Sequence, residues 1–445
     1  MTTSSIDIKK INIKNIKNVC DGKIDFSDEE GYVNVLGIYG QNGSGKTALV
    51  ESLTIIKTLV LGDGLEQNVT DLINENKIAE IDIEIVFDSL YKVNYICELT
   101  RQNNKVKILS ENLYYKVLKK YQREKMLFKY KDYGNELDID FGRAEITSVS
   151  EDVKVKLLTA QALSEEKSTS FLFSDRITQF LKNDDNKNIL NPELLKVVKL
   201  MSNEFAHNLF IYSNKLSGMI FAQIFLPISF QVDNVYGLAP IPMDSNESIP
   251  ENLFKTAQLI FKQINNVLPM IIPGLTVELK VKNQSKNLQG QTEYEVSVDS
   301  VRNGKSIGFK NESDGIKKIV SILSTIINVY NSKKVIAIID EFDAGIFEFL
   351  LGEIIELLSD DAKGQLIFTS HNLRPLEVLP NKKIIFTTTN PENRYIHMSN
   401  VKRTNNLRDM YIRTVQLGGA EEELYKSSNT SKIRRAFRKA GLKNG

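Results

Sequence analysis

The sequence predicts an α/β fold: a parallel core sheet, an antiparallel β subdomain beside it, and a mainly helical insertion that splits the core in two. Three observations carry that prediction. Residues 37–53, GIYGQNGSGKTALVESL, join an apolar strand to a helix through a glycine-rich loop. Near the other end, the short apolar runs KVIAIIDE, GQLIFTSH and KKIIFTTT alternate with helical segments, as parallel strands buried on both faces do. Between them, AEIDIEIVFD and YKVNYICEL alternate apolar and polar residues in the manner of half-buried antiparallel strands.

The remaining elements follow in order. INIKNIKNV (11–19) and YVNVLGIYG (32–40) read as strands, and TALVESLTIIKTLV has helical spacing. Residues 110–135, aromatic and Lys-rich, suit either a hairpin or an amphipathic helix. From about 150 to 232 the apolar spacing is mainly helical, as in PELLKVVKLMSNEFAHNLFIYSNKL. The most apolar stretch, LSGMIFAQIFLPISF (216–230), is interrupted by Pro227 and too short to span a bilayer, so it reads as core. GLAPIPMDSNESIP (237–250), with three prolines, reads as a loop. A helix over ENLFKTAQLIFKQINNVL, a hairpin from LTVELKV and TEYEVSVDSV, and a helix over KKIVSILSTIINVY complete the middle. The glycine loop and IIDE stand at opposite ends of the chain. The expected organisation is therefore one core split in sequence: residues 1–110 and 301–400 form it, 111–300 are inserted, and 401–445 are a basic tail.

Bulk properties narrow the class. The chain has 445 residues, 42% hydrophobic and 25% charged, which suits an ordinary globular protein of two or three domains. Its net charge of +1 gives no global field toward nucleic acid or membrane. The two cysteines, Cys20 and Cys97, lack metal-ligand spacing, and the N-terminus lacks the apolar core of a signal peptide. A cytoplasmic location without membrane contact is the expectation.

Four motifs carry chemistry. The first is G-x-x-x-x-G-K-T from Gly40 to Thr47. Its glycines let backbone N–H groups converge on phosphate, and the following helix presents its N-terminus to the same anion. Asn42, Gly43, Ser44, Gly45, Lys46, Thr47 and Ala48 form the expected cradle for ATP. Lys46 would reach the β- and γ-phosphates and the Thr47 hydroxyl Mg²⁺. The second is the apolar strand ending in Asp340 and Glu341, where Asp340 suits Mg²⁺ and Glu341 the polarising of water. The third, FKNESDGIKK, places Ser313, Asp314 and Gly315 at a helix start, as a helix cap, an anion site or both. The fourth, LIFTSHN, sets His371 just beyond a buried strand, a position for sensing a γ-phosphate and its attacking water; His207 and His397 have no such placement.

In this order the four motifs resemble the ATP-binding-cassette superfamily, and more narrowly the ATPase heads of the structural-maintenance-of-chromosomes (SMC) and recombination-repair group. Within it, the sequence resembles stand-alone prokaryotic ATPases of antiphage and abortive-infection systems, relatives of the overcoming-lysogenization-defect nucleases. The resemblance rests on INIKNIKNV…IDF with GIYGQNGSGKTALVESL, then ESDGIKKIV, VIAIIDEFDAGIFEFLL and LIFTSHN. It implies an ABC-type head that forms a homodimer or higher oligomer, with ATP between one protomer's Lys46 loop and the other's Ser313–Gly315 signature. It also implies catalytic roles for Glu341 and His371, Asp343 in a loop that crosses the dimer, and a Mg²⁺-sensing glutamine for which Gln161 is the candidate. Asp314 stands where transporter cassettes usually have a second glycine. The nuclease relatives continue into a metal-binding nuclease domain, and no such domain is expected here, so a separately encoded effector, nuclease or toxin, is implied. From Lys426 onward there are seven Lys or Arg and no acid. That tail suits DNA or RNA contact, a solvated helix, or a dock for an acidic protein. Control of an antiphage complex is the leading reading, with a DNA-repair clamp and an ATP-stabilised scaffold as alternatives.

Overall fold

The computed structural model describes residues 3–28, 31–134, 137–221, 225–232, 235–243, 248–399, 406–418 and 421–441. Its centre is a six-stranded sheet in the order Leu209–Tyr212, Ile336–Ile339, Gln365–Ser370, Val35–Tyr39, Ile384–Thr387, Tyr395–Ile396. All neighbours are parallel except the last pair. Strands from both ends of the chain interleave here, since Val35–Tyr39 lies between Gln365–Ser370 and Ile384–Thr387. The split core expected from the sequence is thus one continuous sheet.

Alternation along these strands serves two apolar cores. Leu36, Ile38, Ile338 and Ile367 face one core with Leu49, Leu53 and Ile56 of the helix Lys46–Leu61. Val35, Ala337, Ile339 and Phe368 face the other, with Val320 and Leu323 of Asp314–Asn331 and Ile355 of Glu348–Asp361. Burial on both faces is why these strands read as unbroken apolar runs.

The second large sheet has seven antiparallel strands in the order Leu137–Asp140, Lys125–Asp132, Lys105–Val117, Tyr91–Gln102, Ala79–Phe87, Ile6–Ile16, Val19–Asp25. Its inner face is set by period two: Ile81, Ile83 and Ile85 are buried, and Ile83 pairs with both Ile11 and Tyr95. It shares the first core with the helix that follows the glycine loop.

Residues 110–134, open between hairpin and helix, contain the hairpin of Lys105–Val117 and Lys125–Asp132 that extends this sheet, and the 110/111 boundary falls inside its first strand. The middle of the chain is also richer in strands than its apolar spacing suggests. Helices Glu151–Lys167, Asp175–Lys182 and Leu194–Lys199 are present, but Leu209–Tyr212 and Phe225–Val232 are strands. Of the proline-rich stretch 237–250 expected as a loop, the described residues include the strands Val235–Pro242 and Ser248–Pro250, and 244–247 lie outside the described residues. Pro227, Pro240 and Pro242 are tolerated because Phe225–Val232 and Val235–Pro242 form a two-stranded ribbon, so each has a free edge where a missing N–H costs no ladder bond. This ribbon packs on the helix Asp314–Asn331, where Ser229 N donates to Ser324 Oγ at 3.0 Å. No helix of the described residues is long and apolar enough to cross a membrane.

Candidate functional site

The glycine loop leaves the strand Val35–Tyr39 and ends in the helix Lys46–Leu61, whose N-cap Gly45 has φ +100° and no side-chain cap. The first N–H groups of that helix therefore remain available to an anion. Gly40 is required by a close approach: a Cβ there would lie 1.7 Å from Thr387 Oγ1. The loop is buttressed from behind. Ser44 Oγ meets Thr387 Oγ1 and donates to Gln41 O at 2.7 Å, Tyr395 OH donates to Gly45 O at 2.7 Å, and Asn18 Nδ2 donates to Gly43 O.

Lys46 is buried, with Nζ donating to Gly40 O (2.7 Å) and Gln41 O (3.0 Å). Burial lowers its pKa, against the pull of Asp340, Glu341 and Asp343. Those three acids share the field of Lys46 because the strand Ile336–Ile339 ends beside the loop. Thr47 is partly exposed, and its hydroxyl makes no hydrogen bond among the described residues. Asn42 and Gly43 are exposed at the mouth, while Ala48 is buried beneath it.

Asp340 is held by one oxygen only. Oδ1 accepts from Thr369 Oγ1 at 2.6 Å, whereas Oδ2 is buried without a partner, and burial raises the carboxyl's pKa. A sealed carboxylate oxygen with nothing to accept from fits a hydrated divalent cation held by few protein groups. Glu341 has φ +48°, a left-handed conformation costing roughly 1–2 kcal/mol for a residue with a Cβ. Three partners hold it there: Thr369 Oγ1 accepts its N–H at 2.7 Å, Lys318 Nζ donates to its carbonyl, and Asn214 Nδ2 donates to Oε1 at 3.2 Å. Burial pushes the Lys318 ammonium down to about 8.

His371 follows the strand Gln365–Ser370. Its N–H and that of Asn372 both donate to Asp343 Oδ2, at 3.1 and 3.0 Å. Asp343 thus binds the His371–Asn372 segment of its own protomer. Burial, then Lys46, lowers the imidazole pKa, favouring the neutral ring.

Ser313 caps Asp314–Asn331, its Oγ accepting from Ile316 N at 3.4 Å. The hydrogen bonds and ion pairs of Ser313 and Asp314 stay within their own helix, and both residues are exposed. Gly315 is needed because a Cβ would lie 1.9 Å from Gly345 O, so the helix start is locked against the loop that follows Glu341.

Lys46, Asp340, Glu341, Asp343 and His371 are therefore gathered at the carboxyl ends of three inner parallel strands, with Ser313–Gly315 alongside. Gln161 is not brought to them. Its Nε2 donates to Asp132 Oδ2 (2.7 Å) and Glu165 Oε2 (3.1 Å) on the helix Glu151–Lys167. Asp132 is five strands from Val19, which touches the glycine loop, or on the order of 20 Å along the sheet. The expectation of Gln161 as a metal-sensing glutamine is corrected on that ground. Sequence reading missed Thr369, Thr387, Lys318 and Asn214. Thr369 and Thr387 carried a signal, as the polar residues that close the apolar runs LIFTS and IIFT.

A strand, glycine loop and uncapped helix facing a half-satisfied aspartate define a phosphate-loop nucleotide site. Residues 7–374 match the family described as AAA ATPase domain, and the chain belongs to that family. No curated protein matches it. Among solved structures it is similar to the Smc head bound to the C-winged helix domain of ScpA (13% identity, 88% of this chain and 98% of that one, TM-score 0.44). It is also similar to the Smc head domain with coiled coil and joint from Pyrococcus yayanosii (11%, 92% and 100%, 0.42) and the SMC head domain from Thermotoga maritima (12%, 88% and 99%, 0.35).

Proposed function

We propose that the chain is an ABC/SMC-like ATPase head that binds ATP between head-to-tail copies, and that binding and hydrolysis control an antiphage defence complex with a separately encoded effector. One observation carries the pairing: Ser313 and Asp314 lie exposed at a helix N-terminus, with polar contacts only inside that helix. A capped yet outward-facing helix start beside the Glu341 loop is suited to a second copy's γ-phosphate.

Within each protomer, Lys46 supplies positive charge to the β- and γ-phosphates, and the loop N–H groups orient them. Thr47 and Asp340 would hold Mg²⁺, which neutralises phosphate charge when bound. Glu341, fixed by Thr369, Lys318 and Asn214, orients and polarises the attacking water, and neutral His371 accepts a hydrogen bond near the γ-phosphate. Asp343 couples His371 to the loop after Glu341, so a change at the nucleotide reaches the interface. The defence role and effector are supported by the sequence resemblance.

Complementation between two dead variants tests the shared site. Lys46→Ala should lose ATP binding; Ser313→Arg should bind ATP without turning it over. Mixed in equal amounts, they should recover turnover that neither has alone, up to about half of wild type, because each mixed dimer contains one of its two sites intact. No recovery, with dimers present by light scattering, would mean that each site is complete in one chain.

A further inference from the structure

Three unassigned features belong together: a strap, a basic helix and an apolar groove. The strap is the chain from Glu421 to Lys426. Glu423 O accepts from Thr389 N at 2.7 Å, Glu422 Oε1 accepts from Asn393 Nδ2 at 2.9 Å, and Leu424 is buried. Lys426 N donates to Gln41 Oε1 at 3.1 Å, so the strap ends on the glycine loop itself.

Beyond it, the helix Thr430–Gly441 buries no residue against its own chain. Lys432, Arg434, Arg435, Arg438 and Lys439 form no ion pair among the described residues, and the helix has no acid. Ile433 (42% exposed) and Phe437 (76%) make an apolar stripe at i, i+4 spacing. A helix serving only a phosphate backbone has no use for that stripe.

The groove, of about 490 Å³, runs between the signature helix Asp314–Asn331 and the helix Glu348–Asp361. Ile319, Leu323 and Ile327 form one wall, Ile354 and Leu357 the other, and Met270 (81% exposed) stands at its edge. Among the described residues Glu353 is the one charged side chain that lines it. The helix Glu348–Asp361 also carries exposed Glu356, Asp360 and Asp361, and no base. Glu353, Glu356 and Asp360 form no ion pair among the described residues. The groove thus offers an apolar floor and an acidic rim to a helix with an apolar stripe and basic flanks.

We propose that the basic helix Thr430–Gly441 of one copy docks in the apolar groove between the signature helix and Glu348–Asp361 of a second copy. This rests on the head-to-tail reading above, which brings one copy's glycine loop to the other's Ser313. From there, Ile319 and Leu323 lie about 9–15 Å along the partner's signature helix at 1.5 Å per residue. Ser427–Thr430 extended, plus the helix to Phe437, reach about 24 Å from Lys426. The reach is sufficient. Phe342 and Ile346, which flank the Asp343 loop, also line the groove, so docking bears on the segment that holds His371. The strap thereby makes the ATP-bound pair a two-point contact, nucleotide and helix.

The test uses full-length chains carrying Glu341→Gln and Cys20→Ser. One pool has Phe437→Cys, the other Leu357→Cys with a distinguishing tag. Mg-ATP should yield a disulfide between the pools, and Phe437→Asp should weaken ATP-dependent pairing at least about tenfold. ATP-dependent dimers without cross-linking would overturn the docking and leave the sandwich standing. Absence of dimers would overturn both. A single chain with both cysteines that closes on itself as a monomer would place the helix in its own groove. Loss of duplex DNA binding in Arg435→Glu, with pairing unchanged in Phe437→Asp, would assign the helix to nucleic acid and overturn the proposal.

Discussion

Two carboxylates sealed from water are held in opposite ways. Glu111, in the antiparallel sheet, has every direction filled: Tyr95 OH (2.6 Å) and Ser170 Oγ (2.5 Å) donate to one oxygen, Phe171 N (2.6 Å) and Leu172 N (3.2 Å) to the other. Asp340, at the carboxyl end of an inner strand of the parallel sheet, has one oxygen clasped by Thr369 and one with no donor. Burial raises both pKa values. The satisfied carboxylate is framework, since it ties Phe171 and Leu172 to the sheet. The half-satisfied one retains its desolvation cost until a ligand arrives, which is the mark of a binding residue.

The sharpest way to break this comparison is to neutralise each acid. Asp340→Asn should lower ATP turnover at least about 100-fold while leaving the melting temperature at or above wild type. Glu111→Gln should do the reverse. Its amide sets donors against donors, costing about 2–3 kcal/mol in denaturant unfolding, while turnover per folded molecule stays within about twofold. Turnover retained in Asp340→Asn together with lost stability would invert the comparison.

Thr369 links the two acids of the site, donating to Asp340 and accepting from Glu341 N. Thr369→Val keeps the shape and removes both bonds. Turnover should fall about tenfold, with KM for ATP less affected than kcat, because Glu341, proposed to orient the attacking water, loses its anchor. An unchanged kcat would mean that Lys318 and Asn214 suffice.

Asp7 is the third case, a partly buried carboxylate that burial raises from 3.8 to about 6, against the pull of Lys333. The folded state then binds more protons than the unfolded chain, so stability falls as pH rises from about 4 to about 6 and stays lowered above. Asp7→Asn should be more stable than wild type by about 1–2 kcal/mol at pH 7 and equal to it below pH 4. Equal stability at both pH values would show that water reaches the carboxylate.

How much of this was legible follows from how far each signal reaches along the chain. The glycine loop, the Asp340–Glu341 pair and His371 were readable because a buried strand ending in chemistry leaves a local pattern. The contacts of Thr387 behind Gly40, and of Lys318 on the carbonyl of Glu341, were not, because their partners are far away in sequence. Gln161 was misplaced because nothing local distinguishes a glutamine bonded to Asp132 from one facing a nucleotide. The hairpin in 110–135 stayed ambiguous because its Lys and Tyr alternate on a half-solvated face. The strand at 235–242 was hidden by prolines that only a free-edged ribbon accommodates.

The most direct measurement is mass by light scattering for wild type and Glu341→Gln, each with and without Mg-ATP. ATP held between two copies predicts that Glu341→Gln doubles in mass, or rises by a larger integral factor, only when Mg-ATP is present. Wild type should fall back as the nucleotide is consumed. A variant that stays at monomer mass with ATP bound would contradict it.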